Sequence, residues 1–152
     1  MPDNPQRFEK PNPVERIFNS AFGLLVKLGL GMRHNYLVEV RGRKTGRLYS
    51  NPINLLEVKG KQYLIAPRGY TQWVRNAEAA GQVNLRKGSK SRTFKLRPLT
   101  SNEKPELLKA YLDSFKPTVQ RYFPVPAGSP ATSFADLADR YPAFELLPTD
   151  DN

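Results

Sequence analysis

The sequence predicts a small antiparallel β-barrel with helices packed on its outside, that is, a mainly β fold of the α+β class. Five or six short runs rich in β-branched and aromatic residues follow one another, separated by turn-forming Gly, Pro, Asn and Lys residues. Other segments carry apolar residues at three- and four-residue spacing, which is typical of amphipathic helices. The chain has no regular strand–helix–strand alternation, so a parallel sheet is not expected.

The N-terminal part is expected to form an arm and a helix. Residues 1–11 are polar and contain prolines, which is typical of a loosely held arm. Asn12 and Pro13 form a helix start, and the apolar stripe that follows predicts a helix over residues 12–30. We interpret this helix as packed on the core, and the alternative is an interfacial membrane anchor.

Residues 36–99 are expected to contain the core of the barrel. Strands are predicted over residues 36–41, over 48–58 with a break at Asn51-Pro52, and over 61–66, 83–86 and 93–97. Thr71 is predicted to cap a short helix over residues 72–80, which Gly81 ends.

Residues 101–147 are expected to form helices and a closing strand. Ser101 opens a helix whose apolar stripe ends at Phe115. The elements predicted after it are a proline-rich passage over residues 117–130, a short helix over 134–140 and a strand over 144–147. A single domain of 152 residues accounts for all of these elements.

The positive charge of the chain is concentrated in one block. The net charge is +10 overall, whereas residues 33–97 contain fifteen Lys and Arg against three Asp and Glu, a net charge of +12. Such a block attracts a polyanion, which would be nucleic acid, an anionic lipid, or a phosphorylated and carboxylated small molecule.

A basic tight turn over residues 42–47 joins the first two predicted strands. Both of its glycines are expected to take positive φ and to let the backbone come close to a ligand. Its cations, Arg43, Lys44 and Arg47, stand beside exposed N–H groups, and Thr45 adds a hydroxyl. The turn therefore suits an anion, in particular a phosphate, and the alternative is a solvated hairpin tip. Its glycine spacing is not that of a Walker loop.

The composition excludes several kinds of site. The chain contains no cysteine, which excludes disulfides, thiolate metal ligands and a cysteine nucleophile. No metal site, catalytic triad or carboxylate pair is predicted. The first residues have no apolar signal-peptide core, and the longest apolar run is too short to span a bilayer. We expect a cytoplasmic protein, with contact to a membrane surface left open.

Seven short motifs follow one another in an order and spacing typical of one family. They are Leu28-Gly-Leu-Gly31, Tyr36-Leu-Val38, Gly42-Arg-Lys-Thr-Gly-Arg47, Asn51-Pro52, Tyr63-Leu-Ile-Ala-Pro-Arg-Gly69, Trp73-Val-Arg-Asn76 and Ala79-Ala-Gly81, with a looser match at Tyr141-Pro-Ala-Phe-Glu-Leu146. The chain resembles the deazaflavin-dependent nitroreductase (flavin/deazaflavin oxidoreductase) family. The resemblance implies a split, FMN-binding-like β-barrel.

The resemblance also implies a function. It points to a reductase that uses the reduced 8-hydroxy-5-deazaflavin coenzyme, F-420, which carries a phosphate and an oligoglutamate tail. The expected reaction is hydride transfer to a quinone, a nitroaromatic or another unsaturated small molecule. The chemistry belongs to the coenzyme, so the protein need only bind it, orient it and exclude water. A small polyanion of this kind matches the +12 block.

Twelve cofactor-binding residues follow from the resemblance. The basic turn is expected to hold the phosphate, and the residues after it are expected to line the ring system. These residues are Arg43, Lys44, Thr45 and Arg47 in the turn, Asn51 and Pro52 in the next strand, Ala66, Pro67, Arg68 and Gly69 at the end of the strand after it, and Trp73 and Asn76 in the short helix.

No catalytic residue is assigned from the sequence. The candidate proton donors are the only histidine, His34, and four tyrosines, each of which also has a structural interpretation: Tyr49, Tyr111, Tyr122 and Tyr141. The electron acceptor and the oligomeric state are left open.

Three other functions stay open at this point. A split barrel can bind FMN or haem instead of the deazaflavin, and the apolar helix and proline-rich passage also suit a carrier of fatty acid or lipid. A small basic barrel is also typical of nucleic-acid-binding proteins. That function is less expected here, because the cations cluster at turns and strand ends and residues 86–97 lack interleaved stacking aromatics.

Overall fold

The computed structural model describes residues 33–149. The predicted arm over residues 1–11, the predicted helix over residues 12–30 and the motif that begins at Leu28 lie outside these residues.

Seven strands, two α-helices and two 3-10 helices make up the described part of the chain. The strands are β1 (Asn35–Arg41), β2 (Leu48–Asn54), β3 (Leu56–Val58), β4 (Lys61–Ile65), β5 (Gln82–Lys87), β6 (Lys90–Pro98) and β7 (Ala143–Pro148). The α-helices are α1 (Gln72–Ala80) and α2 (Lys104–Val119), and the 3-10 helices are Gln120–Tyr122 and Ala131–Arg140.

The seven strands form one sheet in the order β2-β1-β5-β6-β7-β4-β3, and every neighbouring pair is antiparallel. The sheet curls into a half-barrel with helices against it, which confirms the predicted fold class. Seven strands are present rather than five or six, because the predicted second strand is two strands, β2 and β3. The predicted closing strand is β7, which lies between β6 and β4.

The curl of the sheet follows from its connectivity. β2 and β3 are the two edges of the sheet, yet only Leu55 separates them along the chain. In a flat sheet the six strand spacings of about 4.8 Å would hold the edges roughly 29 Å apart, whereas one residue spans only about 3.5 Å. The edges must therefore meet at Leu55, which is buried and whose N–H donates to the carbonyl of His34 at 2.8 Å.

Two hydrophobic cores lie on opposite faces of the curled sheet. The inner core includes Val38 of β1 and Leu64 of β4, and Val74 and Ala77 of α1 close it. The outer core packs Tyr63 and Ile65 of β4 against α2 and the 3-10 helix Ala131–Arg140. β4 is therefore buried on both faces by alternating side chains.

The predicted break at Asn51-Pro52 is wrong, because β2 runs through Pro52 to Asn54. Proline lacks an N–H, but β2 is an edge strand with only β1 as its neighbour, so the missing donor costs the sheet little. The interruption comes instead at Leu55, where the chain passes from one edge of the sheet to the other.

The helices also differ in detail from the prediction. α2 begins at Lys104 rather than Ser101, and it continues past the expected proline stop to Val119. Phe115 absorbs the disturbance, since its φ of −120° and ψ of 25° are not helical and produce a kink two residues before Pro117. The predicted end of α1 is confirmed, because Gly81 lies in the left-handed region with φ 73°.

Candidate functional site

An open cleft of about 1220 Å³ lies where four parts of the fold meet. Its walls are the turn between β1 and β2 together with β2 itself, the loop after β4, the first turns of α1, and the C-terminal end of α2 with the 3-10 helix after it. Small-molecule pockets usually measure about 300–1000 Å³. The cleft is therefore large enough for a cofactor and a second small molecule together.

The structure brings eleven of the twelve predicted cofactor residues to this cleft. They are residues 43–45 of the turn, 51 and 52 of β2, 66–69 after β4, and Trp73 and Asn76 of α1. The exception is Arg47, whose guanidinium lies outside the lining and stacks over the Tyr49 ring at 5.9 Å. Arg47 therefore makes a cation–π contact with Tyr49 rather than lining the cleft.

The lining carries a one-sided charge. Its charged residues are Arg43, Lys44, Arg68 and Arg121, and the described residues of the lining include no Asp or Glu. Apolar surface from Ile53, Ile65 and other residues forms the rest of the walls. This combination suits a ligand that has a planar apolar body and an anionic group.

The turn between β1 and β2 is closed by its own backbone. The N–H of Gly42 donates to the carbonyl of Arg47 at 2.7 Å, and the N–H of Gly46 donates to the carbonyl of Gly42 at 2.9 Å. The Thr45 hydroxyl accepts from the N–H of Arg47 at 3.2 Å. The N–H groups of Lys44 and Thr45 have no acceptor within residues 33–149, which leaves them available to a ligand.

The two glycines of the turn serve different purposes. Gly46 has φ 74°, as predicted, and a Cβ there would meet open space. Gly42 does not take positive φ, so that part of the prediction is wrong. Packing favours its hydrogen atom instead, because a Cβ would lie 2.8 Å from the Tyr49 ring and 3.0 Å from the Thr45 hydroxyl, and these side chains would have to shift.

The turn is fastened to α1 by Arg43. The Asn76 Oδ1 accepts hydrogen bonds from the Arg43 N–H at 3.0 Å and from its guanidinium at 2.7 Å. The same guanidinium donates to the Gln72 side chain at 3.0 Å. Asn76 is only 5% exposed, so this oxygen has little access to water. Asn76 was predicted as part of the cofactor wall, and the structure gives it the further task of positioning Arg43.

Lys44 next to Arg43 is in a different situation. Its side chain is exposed, and within the described part of the chain it makes neither a hydrogen bond nor an ion pair. Its ammonium group and the open N–H groups of the turn lie on the same short segment. A cation beside open N–H groups is an arrangement that binds anions in proteins.

The wall at the start of α1 contains one unpaired polar atom. Thr71 occupies the N-cap position as predicted, but its hydroxyl makes no capping hydrogen bond. The Thr71 Oγ1 is buried and has no hydrogen-bond partner. Two residues earlier, the backbone turns at Gly69, which lies in the left-handed region with φ 84°. The start of α1 thus leaves one buried polar atom unsatisfied beside the cleft.

The sequence analysis missed the wall formed by the end of α2. The kink at Phe115 sets residues 117–122 along the cleft, including Thr118 and Gln120. The Gln120 side chain spans the following loop. Its amide N–H donates to the carbonyl of Val125, and its amide oxygen accepts from the N–H of Ala127. Tyr111 and Tyr122, two of the candidate proton donors, lie on this wall, but the sequence did not place them on one wall of the cleft.

Three of the four candidate tyrosines line the cleft: Tyr49, Tyr111 and Tyr122. Burial raises the pKa of Tyr111, so its hydroxyl keeps its proton at neutral pH. Tyr141 belongs to the outer core instead, where its hydroxyl donates to the carbonyl of Tyr122 at 2.6 Å.

His34 lies away from the cleft. It contacts the Phe115 ring at 4.6 Å and lines a separate small pocket with Leu55 and Glu57. Burial, with a smaller contribution from Lys87, lowers the pKa of His34, which favours the neutral ring. Within residues 33–149 no cluster of three or more His, Asp or Glu side chains is arranged to hold a metal ion, and no helix is long and apolar enough to cross a membrane.

Several solved structures share this fold. A structure described as an F420-H2 dependent reductase (FDR-A) superposes with a TM-score of 0.51 at 20% identity, covering 75% of this chain and 94% of that one. A structure described as a domain-swapped dimer superposes with a TM-score of 0.53 at 20% identity, covering 88% of this chain and 92% of that one. HutZ, the haem storage protein of Vibrio cholerae, superposes with a TM-score of 0.54 at 9% identity, covering 78% of this chain and 83% of that one. At these identities the likeness shows the fold alone.

The sequence comparison identifies the family. A search of curated proteins finds no significant match. The model of one protein family, described as F420H(2)-dependent quinone reductase, matches residues 17–122. That range includes the basic turn, β2, the loop after β4 and α1, which together form most of the cleft. Because the match covers well over half of the chain, the protein belongs to the family of F420H(2)-dependent quinone reductases.

Proposed function

We propose that the protein is a reductase that uses the reduced deazaflavin coenzyme F-420 to reduce a quinone or another unsaturated small molecule. The observation that carries the proposal is the cleft, whose lining has four basic and, within the described chain, no acidic residues around apolar walls. Membership of the quinone reductase family supports the same cofactor. The volume of about 1220 Å³ leaves room for an acceptor beside it.

The residues present fit this coenzyme. Lys44 and the open N–H groups of Lys44 and Thr45 would hold the phosphate, with Arg43 fixed beside them by Asn76. The loop of residues 66–69 and Trp73 would lie along the ring system. When bound, the coenzyme supplies a hydride. The chain then has to bind, orient and keep water away from the reacting atoms.

The acceptor side of the cleft would be formed by the end of α2. The half-buried Tyr122 and the buried Tyr111 belong to this wall, and Thr118 adds a hydroxyl. A quinone that accepts a hydride also needs a proton, and a tyrosine hydroxyl that keeps its proton at neutral pH can hold one in place. Burial raises the pKa of Tyr111, so its hydroxyl would hold a proton there rather than release it readily.

FMN is the main alternative cofactor, because it also joins a planar ring system to a phosphate. Haem is less well supported. His34 is the only histidine of the chain and lies outside the cleft, so haem bound in the cleft would have no imidazole ligand there.

Parallel titrations test the cofactor assignment. The purified protein is titrated with coenzyme F-420, FMN and haem, and binding is followed by ligand absorbance and by the melting temperature. We expect F-420 to bind most tightly and to raise the melting temperature. Tight binding of FMN or haem together with no binding of F-420 would overturn the assignment and leave the fold unaffected.

A further inference from the structure

The cations of the cleft lie near both ends of β2. Lys44 belongs to the basic turn that leads into this strand, whereas Arg121 belongs to the wall formed by residues 117–122 at the end of α2. The last residue of β2, Asn54, reaches that wall, since its side-chain amide donates to the Thr118 hydroxyl at 3.3 Å. One cation therefore lies at the beginning of the strand and another at its end.

β2 keeps these two places apart. It has seven residues, which gives six spacings of about 3.3 Å and a length of roughly 20 Å. A phosphate is much smaller than this, so one bound at the basic turn would not fill the other end of the cleft. The volume of about 1220 Å³ also leaves room for a second molecule there. The ligand group that meets Arg121 is therefore a different one from the phosphate.

The segment that carries Arg121 is held in place by hydrogen bonds. The Tyr141 hydroxyl donates to the carbonyl of Tyr122 at 2.6 Å, and the N–H of Phe123 donates to the carbonyl of Gln120 at 3.0 Å. The Arg121 guanidinium donates to the Tyr122 hydroxyl at 2.8 Å and lies 4.9 Å from the centre of the same ring. Arg121 is exposed and Tyr122 is half-buried, so a molecule in the cleft can contact both of them.

An arginine beside an aromatic ring suits a planar acid. The N–H groups of a guanidinium form a fork that matches the oxygens of a carboxylate or another oxyanion, and an aromatic side chain packs well against a flat ring. The described residues of the cleft lining include no Asp or Glu, so an anion at this end meets no carboxylate in the walls. This end of the cleft therefore favours a negatively charged ring compound over a neutral one.

We infer that the end of α2 binds an acidic electron acceptor, with Arg121 on an anionic oxygen of the acceptor and Tyr122 against its ring. The class of acceptor is an aromatic or quinonoid compound that carries an ionised hydroxyl or carboxyl group. Arg121 is then the residue that determines specificity between charged and neutral acceptors. The inference deepens the proposed function and rests on it, because it takes the second molecule in the cleft to be the one that is reduced.

Two variants and two acceptors separate charge from shape. Arg121→Gln keeps a long polar side chain and removes the charge, whereas Arg121→Lys keeps the charge and loses the planar fork. The acceptors are menadione, a neutral naphthoquinone, and lawsone, which has a hydroxyl in place of the methyl group and is an anion at neutral pH. The matched control is Arg140→Gln, which removes an exposed arginine outside the cleft.

The test measures the KM for each acceptor at saturating reduced F-420. We expect Arg121→Gln to raise the KM for lawsone about tenfold and to leave that for menadione close to wild type, because only lawsone loses a charge-assisted contact. Arg121→Lys should fall between the two, and Arg140→Gln should equal wild type. Added salt should raise the KM of wild type for lawsone, and this dependence should weaken in Arg121→Gln. The affinity for F-420 should not change.

Equal changes in KM for the two acceptors, or no change for either, would overturn the inference and leave the proposed function intact. A loss of F-420 affinity in Arg121→Gln as large as the rise in KM for lawsone would also overturn it, since Arg121 would then belong to the cofactor site. So would a wild type that reduces menadione and not lawsone. Wild type that reduces neither acceptor would overturn the proposed function and the inference with it.

Discussion

Arg43 and Lys44 are neighbours with the same charge, yet the fold uses them differently. Arg43 is held by Gln72 and Asn76 of α1, which fixes the turn to the helix. Lys44 is exposed and, within the described residues, unpaired, so its ammonium group can turn toward a ligand. At the scale of single residues, one cation builds the site and the other is available to bind.

Lys44→Ala is expected to weaken binding of F-420 roughly ten- to hundredfold, because it removes a charge-assisted hydrogen bond worth about 1.5–3 kcal/mol. The melting temperature of the free protein should not change, since the side chain has no partner to lose. The matched control is Lys90→Ala, which removes an exposed lysine from the β5–β6 hairpin outside the cleft. Equal affinity of Lys44→Ala and wild type would show that the Lys44 side chain does not hold the phosphate.

Asn76→Ala is expected to lower both stability and affinity. It leaves the N–H and the guanidinium of Arg43 without their shared acceptor, which should reduce the free energy of unfolding by about 1–3 kcal/mol. Asn76→Asp keeps an oxygen acceptor for Arg43 and should retain more of that stability. Denaturant unfolding and F-420 titration of both variants check this. An Asn76→Ala protein as stable as wild type would contradict the positioning role.

At the scale of elements, the β1–β2 hairpin owes its shape to Gly46. A Gly46→Val side chain would have free space around its Cβ, so the cost arises from the backbone, which must hold φ near 74°. Left-handed conformation costs L-residues about 1–2 kcal/mol, and more for β-branched ones. We expect F-420 affinity to fall as far as in Lys44→Ala, without any change in charge.

Gly60→Val is the control for this hairpin. Gly60 has φ 80°, also has free space at its Cβ position, and lies in the β3–β4 turn outside the cleft. It should lose similar stability and keep wild-type affinity. If both variants lost affinity equally, the effect would come from general destabilisation rather than from the shape of the β1–β2 turn.

The junction of β6, β7 and α2 makes stability depend on acid pH. Arg97 bonds both carboxylate oxygens of Glu103, at 3.0 and 2.8 Å, and Glu145 at 2.9 Å. Hydrogen bonds from Arg97, and then from the Thr100 N–H, lower the pKa of Glu103 to about 2. A carboxyl whose pKa is lower in the folded state stabilises it above the unfolded pKa, and this contribution disappears as the pH falls.

Glu103→Gln should therefore flatten the fall in stability between about pH 4.5 and pH 2, the window between the unfolded and folded pKa values of Glu103. The effect will be modest, since both partners are partly exposed to water. Urea unfolding at a series of pH values measures it. Glu106→Gln removes a carboxylate from the same helix as a control, and an identical pH profile for Glu103→Gln and wild type would contradict the pKa assignment.

The elements that the sequence predicted well are those fixed by neighbouring residues. β1, the Gly81 end of α1 and the positive φ of Gly46 follow from local composition and backbone sterics. The need for glycine at position 42 could not be assigned in this way. It arises from the Tyr49 ring across the hairpin, and such a contact depends on the register of two strands.

At the scale of the whole molecule, the cleft depends on contacts between distant parts of the chain. Leu55 joins the two edges of the sheet, and the end of α2 supplies a wall more than seventy residues after the basic turn. No local pattern places α2 against the cleft, because the kink at Phe115 and its packing on the outer core decide its direction. The family resemblance predicted the sides formed by the turn, β2, the loop after β4 and α1, and the structure added the side formed by the end of α2.

The positive block of residues 33–97 is likewise divided by the fold. Three of its cations line the cleft, namely Arg43, Lys44 and Arg68, and Arg121 joins them from outside the block. Arg86 and Arg97 are instead paired with carboxylates. Only part of the net charge of +12 in residues 33–97 therefore lies where a ligand in the cleft could contact it. The charge of the cleft lining indicates better than the charge of the whole block what binds there.

The central claim is that this cleft binds the reduced deazaflavin and passes its hydride to an acceptor. The most direct test mixes the purified protein with stoichiometric reduced F-420, adds a quinone, and follows the return of the absorbance of the oxidised coenzyme in a single turnover. The account predicts rapid oxidation by wild type and, at the same concentrations, slower oxidation by Lys44→Ala, with Lys90→Ala equal to wild type. Oxidation no faster than in the absence of protein, under conditions where F-420 is bound, would contradict it.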